Sequence, residues 1–411
     1  MHEPIKIDRG RVAQRLEAFA TFGAYGKSGV WRTLYSPEWV DATDQFADWC
    51  IGAGLAVNRD SVGNVWGRLE GSEGGKSIVS GSHIDTVTPG GRYDGALGTI
   101  GALIAIEALA EQSGKPKRTL EAVALCEEES SRFRANFWGS RAIIGKIAPE
   151  VPDQIVGFDG ITISDAMREV GLDPELCYQA RRRDIDAFIE LHIEQGPVLE
   201  AADCSVALVT GIAGLRGITI TLEGVANHAG AFPMQQRKDP VAGFAEIVSG
   251  VIGIAKEMGS PAVTTIGRVN VEPNLATIIP GKVEFTIDAR HADADELKCM
   301  ITRQDELMNE VAARLGLSLS AHVTSQHEAC VSDPELMVEL ECAAGTAKVN
   351  PIKMVSGAAH DTQQISKIAR TAMIFVRSQG GRSHTPEEFS SLDDIVDGIK
   401  VLAGTLHRLA Y

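Results

Sequence analysis

The chain of 411 residues is short of several things, and each shortage excludes a class of protein. Its seven cysteines are odd in number and no pair is spaced C-x-x-C, so neither a disulfide framework nor a cysteine zinc knuckle is expected. The thiols read as reduced packing residues. Lysine and arginine, 39 in all, are outnumbered by 55 acidic residues, and the formal charge of -16 lacks the basic footprint that nucleic acid or an anionic membrane requires. No window of about 18 uncharged apolar residues occurs, and the opening MHEPIKIDRG has no apolar segment of the kind a secretory leader carries. A cytoplasmic protein is expected. Familiar catalytic signatures are missing too. GAYGKSG resembles a phosphate-binding loop, but the leading glycine would fall at Thr21 and no strand precedes it. G-x-S-x-G and H-E-x-x-H are absent, which sets aside a serine hydrolase and a zincin.

What the chain does have is length and apolar content, 44% hydrophobic, enough for two domains. Residues 10 to 150 alternate helical and strand-like patterns, which predicts α/β layers. Ser36 is an N-cap with Pro37 at the first helical position, opening an amphipathic helix through Trp39, Phe46 and Trp49. Ile78-Val79 and Thr119 to Leu125 read as buried strands around a helix from about Gly98 to Glu111. This is a βαβ-like unit, and the strand ends of open α/β sheets are where ligands sit. After Gly211 the order becomes strand GITITLEG, a helix opened by Asp239-Pro240, strands near VTTIGRVNVE and KVEFTIDAR, a helix Ala294 to Leu315, and strand LSLSAHVT. That βαββαβ order is the split βαβ or ferredoxin-like arrangement. After Asp333-Pro334 the α/β pattern resumes, with ARTAMIFVRS as a buried strand and a last helix from Ser391 to Leu409 whose SLDD start fits a capping box. The expected organisation is an α/β domain in two parts, 1–210 and 330–411, with 211–329 inserted between them.

Four clusters place metal-binding or acid–base side chains at predicted strand ends. In GSHIDTVTPGGRYDG, residues 81–95, His83 and Asp85 lie two apart. In an extended segment they face the same way, so the aspartate can accept the second ring N–H and fix which nitrogen is free for a metal. Asp94 follows a Pro89-Gly90-Gly91 turn that can bring its carboxylate back beside His83. LCEEESSRF sets three glutamates after an apolar strand, where like charges repel unless water or cations neutralise them. FIELHIEQG alternates Glu190, His192 and Glu194 along a strand, and GGRSHTPEE puts His384 after a strand and a double-glycine turn. Each cluster alone also reads plainly, as an Asp-Gly turn, a solvated acidic run or a histidine satisfied by hydrogen bonds. Together they supply five ligands at four strand ends, enough for two first-row divalent ions sharing one carboxylate.

GVWRTLYSPEW, GSHIDT, GGRYDGALG, EEESSRF, ELHIEQGPVLE, NHAGAFPM with Arg237 and Asp239, and GRSHTPEE follow one another as in a known family. Over nearly its whole length the chain resembles the hydantoinase/carbamoylase branch of the dinuclear metallohydrolases related to the M20 peptidases. That branch includes N-carbamoyl-L-amino acid hydrolases, β-ureidopropionases and allantoate amidohydrolases. The resemblance implies an α/β catalytic domain carrying the inserted βαββαβ unit as a lid and dimerisation domain, hence a homodimer. It implies two Zn or Mn ions bridged by Asp94, one completed by His83 and His192 and the other by Glu129 and His384. Asp85 would orient His83, Glu128 would be the general base, and His228 would stabilise the developing oxyanion. Substrate contacts are implied at Gln195, Arg290, Thr277 and His360.

Three positions depart from the family pattern. Ser130 replaces a glycine after the glutamate pair, Ala359 makes SGAAHD of SGAGHD, and Thr277 stands where PNLATIIPG normally carries an asparagine. FWGS at 137–140 is closer to the allantoate branch. The expected function is hydrolysis of the linear amide bond of an N-carbamoyl or ureido acid, with release of ammonia and carbon dioxide. Allantoate hydrolysis, a peptidase or acylase with the same two-metal core, and a non-catalytic metal-dependent binder are the alternatives.

Overall fold

The computed structural model describes residues 3–411, which fold as two compact units. The first takes the described residues up to Thr210 with Ser332–Met354 and His360–Tyr411. The second takes Gly211–Val331 and also Val355–Ala359, a stretch whose sequence reads as part of the flanking domain. Among the described residues no helix is long and apolar enough to cross a membrane.

Seven strands of the first unit's sheet are β1 (Ala56–Arg59), β2 (Val65–Leu69), β3 (Ser77–His83), β4 (Leu120–Leu125), β5 (Ile185–Ile193), β6 (Val206–Ile212) and β7 (Arg370–Val376). Their spatial order is β6-β7-β5-β3-β4-β2-β1. The central four, β7, β5, β3 and β4, are parallel, and the outer pairings are antiparallel. Successive side chains leave a strand on opposite faces, so Ile78 and Ile189 enter one core while Val79 and Phe188 enter a smaller one. Helices therefore cover both faces, as parallel sheets require.

Helix α1 (Pro37–Gly52) starts as expected, with the Ser36 hydroxyl accepting from Trp39 N at 3.2 Å. Helix α2 (Ala96–Ser113) is buried continuously from Ala96 to Leu109, and its one carboxylate there, Glu107, is met by Arg15 at 2.7 Å. Helix α3 (Leu392–Ala410) is capped by Ser391, but the reciprocal half of the expected capping box is missing. The Asp394 carboxylate is instead held by Arg377 at 2.9 and 3.0 Å, a charged partner being stronger than a backbone N–H.

In the second unit, strands Gly214–Glu223, Lys282–His291 and Ser318–His327 pair antiparallel with Gly214–Glu223 in the centre. Lys282–His291 alternates intermediate and buried residues without a break, and its Val283, Phe285 and Ile287 pack on helices Pro240–Met258 and Ala294–Leu315. VTTIGRVNVE forms two short strands, Val263–Thr265 and Val269–Glu272, both pairing with Lys282–His291. Between them the register slips by one residue, a bulge in which the Thr286 hydroxyl takes Arg268 N at 3.1 Å.

Candidate active site

The carboxyl ends of all four parallel strands meet at one place. His83 is the last residue of β3, Glu127 to Glu129 follow β4, His192 lies one residue from the end of β5, and the loop after β7 leads to His384. Ser80 pairs with Ile189, so continuing the parallel register for three residues brings His83 level with His192. Their ring centroids are 5.8 Å apart.

Asp94 lies at the centre. Its Oδ1 is 3.4 Å from His83 Nε2 and 3.3 Å from His192 Nε2, and its Oδ2 is 3.5 Å from His384 Nε2, which lies 3.0 Å from Glu129 Oε1. His83, Asp94 and His192 thus form one group of ligand atoms and Asp94, Glu129 and His384 a second, each compact enough to hold a metal ion. Asp94 Oδ1 is buried and has no hydrogen-bond partner among the described residues, an orphaned acceptor facing two ring nitrogens. Tetrahedral zinc with bonds of about 2.0–2.1 Å separates neighbouring ligand atoms by roughly 3.3–3.4 Å. The three-residue group is therefore already spaced for a cation, and its nitrogen and oxygen donors suit zinc or manganese. Gly95 makes the approach possible: at φ +65°, a Cβ there would lie 2.4 Å from the His83 ring.

The acidic run after β4 divides three ways. Glu127 turns into its own loop, accepting Ser131 Oγ, Arg132 N and Phe133 N, and burial raises its pKa to about 8. Glu128 is buried within ligand distance of His83 and Glu129. Burial, then the charge of Glu129, pushes its pKa well above the usual carboxylate range. Asp94 moves the other way: burial opposes ionisation, but pairing with His192 and His83 outweighs it and holds the carboxyl well below its ordinary value. His384 is raised to about 9, chiefly by its contact with Glu129.

Asp85 differs from the expected arrangement. His83 Nδ1 is 3.0 Å from the Asp85 backbone carbonyl, while the carboxylate is 3.8 Å away and accepts Glu128 N and Glu129 N at 3.2 and 3.1 Å. The same-face rule fails because the strand ends at His83. A carbonyl fixes the ring as a carboxylate would, leaving Nε2 free, and the carboxylate anchors the two glutamates instead. Gln195 Nε2 donates to Asp94 Oδ2 at 2.8 Å. His360 is buried, edge-on to His192 with centroids 4.6 Å apart, and burial followed by the His192 charge depresses its pKa strongly. Sequence reasoning passed over Ser383 and Glu388, which hold Asp94 in place, and it named Glu190 only as alternating with His192, without its role of accepting Ser82 Oγ and Thr362 Oγ1 under the site at 2.6 Å each. Ser383 and Glu388 sit within GRSHTPEE, and the signal was a second glutamate after a proline turn.

In the second unit, His228 is exposed on a short strand paired with Ile278–Ile279, and the carbonyl of Thr277 accepts Ala229 N at 3.0 Å, so the structure brings His228 and Thr277 together. His228 Nδ1 accepts Gly230 N and Ala231 N at 3.0 Å each. The ring proton is thereby left on Nε2, as a donor. Arg237 braces this turn through the carbonyls of Ala229 and Phe232, and Asp239 caps the following helix. Arg290 is engaged bidentately by Asp288 at 2.7 and 3.1 Å, and it also donates to Gly357 O at 2.7 Å.

Known proteins are similar to this chain over nearly its whole length. Residues 79–408 match Peptidase family M20/M25/M40. The chain is 40% identical over 404 residues to an allantoate amidohydrolase of Escherichia coli (strain K12), with 98% of each covered. It is 35% identical over 404 residues to an N-carbamoyl-L-amino-acid amidohydrolase of Pseudomonas sp. (strain NS671), with 97% of each covered. A crystal structure of a hydantoinase/carbamoylase family amidase from Burkholderia multivorans matches with a TM-score of 0.92 at 31% identity, over 99% of this chain and 98% of that one. With the site's geometry and these likenesses together, the chain belongs to peptidase family M20/M25/M40.

Proposed function

We propose that this chain is a metal-dependent hydrolase of the linear C–N bond of a ureido acid, acting on allantoate or an N-carbamoyl amino acid and releasing ammonia and carbon dioxide. One observation carries the reading: Asp94 is shared by two ligand groups, with the buried Glu128 directly beside them. Zinc or manganese held by His83, Asp94 and His192 and by Asp94, Glu129 and His384 supplies Lewis acidity at this spot. Glu128, with its raised proton affinity, accepts the proton of the attacking water and delivers it to the leaving nitrogen. His228 presents an Nε2–H donor suited to a developing oxyanion. Arg290 offers a planar fork to a substrate carboxylate, in exchange for its present partner Asp288. In this reading the inserted unit acts as a lid and pairs two copies of the chain. Its edge strands carry the exposed Val263, Val269 and Val323, a surface that a second chain can cover.

Allantoate heads the substrate list, because the FWGS segment and the relative at 40% identity both point to that branch. The test is ammonia release from allantoate, N-carbamoyl-L-amino acids and N-carbamoyl-β-alanine with zinc or manganese. Turnover of at least one ureido acid is expected. Silence on the whole panel with cleavage of a dipeptide or N-acyl amino acid would make the protein a peptidase or acylase. Metal binding without any turnover would make it a binder. Sedimentation at micromolar concentration checks the dimer.

A further inference from the structure

Glu388 has no part in the chemistry above, yet it is 3% exposed and reaches the metal ligands from a distant part of the chain. Its Oε1 accepts two consecutive backbone N–H groups, Tyr93 at 2.8 Å and Asp94 at 3.0 Å. Its Oε2 is 3.0 Å from Ser383 Oγ, and that hydroxyl lies 2.5 Å from Asp94 Oδ2. One carboxylate therefore grips the backbone of the shared ligand and, through Ser383, its side chain. Both Ser383 and Glu388 flank His384, so the loop that carries one ligand is fastened to the loop that carries another. Gly91 is part of the fitting, since a Cβ there would lie 2.3 Å from Glu388 Cδ and Oε1. The space beside the backbone is thus kept for this carboxylate.

Resting on the metal-site reading above, we propose that Glu388, acting with Ser383, is a positioning residue that sets Asp94 and His384 at the separation two cations require. A ligand at a loop end is free to turn away when nothing fixes it, and partners behind metal ligands commonly govern affinity by about 10–100-fold. Asp94 has no secondary-structure ladder of its own, because it lies in the loop between β3 and α2.

The test uses the full chain stripped by a chelator and titrated with zinc against an indicator of known zinc affinity, with melting of the metal-free protein followed in parallel. Glu388→Ala is expected to weaken zinc binding by about tenfold or more, at a temperature where the variant is fully folded. Glu388→Gln is expected to restore it, since the amide oxygen still accepts Tyr93 N and Asp94 N while the amide nitrogen donates to Ser383 Oγ. Ser383→Ala should fall between the two. A strut serving the fold alone would lower the melting temperature of Glu388→Ala and leave its zinc affinity at the wild-type value, and that result overturns the proposal. Should Glu388→Ala not fold, Ser383→Ala decides: wild-type zinc affinity in that variant is then the overturning result. If the wild-type protein binds no zinc or manganese, the site reading itself fails and takes this proposal with it.

Discussion

The two units place most of their chemistry in different environments. In the first, His83, Asp94, Glu128 and His192 are all less than one-tenth exposed, and each stands at or beyond the end of a parallel strand covered on both faces, with His384 on the loop after β7 as the exposed exception. In the second, His228 is exposed and Arg290 is half-buried, on an antiparallel sheet with one face on helices. The difference follows from topology. Parallel strands bring several carboxyl ends to one line, where loops can desolvate charged groups and shift their proton affinities in opposing directions. An antiparallel sheet with one open face offers alternating faces and exposed turns, which suit donors that reach a ligand without long-lived burial.

If that division is right, substitutions in the two units should separate metal binding from turnover. The largest effect on rate belongs to Glu128→Gln, which should lower turnover by about 10²–10⁴ while zinc stoichiometry stays at the wild-type value. Equal turnover in that variant would remove Glu128 from proton transfer. His228→Ala should cost about 10²–10³ in kcat, again with unchanged metal content, because no proposed ligand lies in its unit. A fall in zinc stoichiometry there would erase the distinction drawn above.

A smaller effect concerns pH. Burial opposes protonation of His83 and His192 but pairing with Asp94 outweighs it and raises both, and His384 is raised to about 9 by Glu129. His384 therefore carries a proton at neutral pH in the metal-free protein, and a cation must displace it. Zinc affinity should therefore rise with pH up to about 9, by about tenfold per unit for each proton displaced. Calorimetry in buffers of different ionisation enthalpy counts those protons, and a pH-independent affinity would contradict the shifts. The smallest effect is local. Ser130 has φ +54°, where a side chain costs about 1–2 kcal/mol that glycine avoids. Ser130→Gly also frees the unfolded chain, so melting of the metal-free protein should show a net gain of no more than about 1 kcal/mol.

Much of the fold was legible where one rule dominates. Helix Ala294–Leu315 has the expected bounds because Asp293 caps one end and Gly316 closes the other in a left-handed conformation. The strict alternation of KVEFTIDAR likewise marks a strand with one buried face. The residues that converge on Asp94 were legible too, as histidines and carboxylates crowded at apolar strand ends. Legibility ends where tertiary contacts overrule local pattern. Nothing periodic announces that Glu388 grips the backbone of Tyr93 and Asp94, or that the Asp85 carboxylate turns from His83 to the glutamate backbone. Gln195 at φ +59° and His384 at φ +57° occupy backbone conformations that side chains seldom adopt. Packing of the loops imposes those angles, and no rule of propensity predicts them.

The central claim is that four strand ends converge on a pair of cations through Asp94. Anomalous diffraction at the zinc edge, from crystals of stripped and reloaded protein, tests it most directly. Two peaks are expected in each chain, one among His83, Asp94 and His192 and the other among Asp94, Glu129 and His384. Zinc absent from these residues at full loading, or bound elsewhere without Asp94, would contradict it.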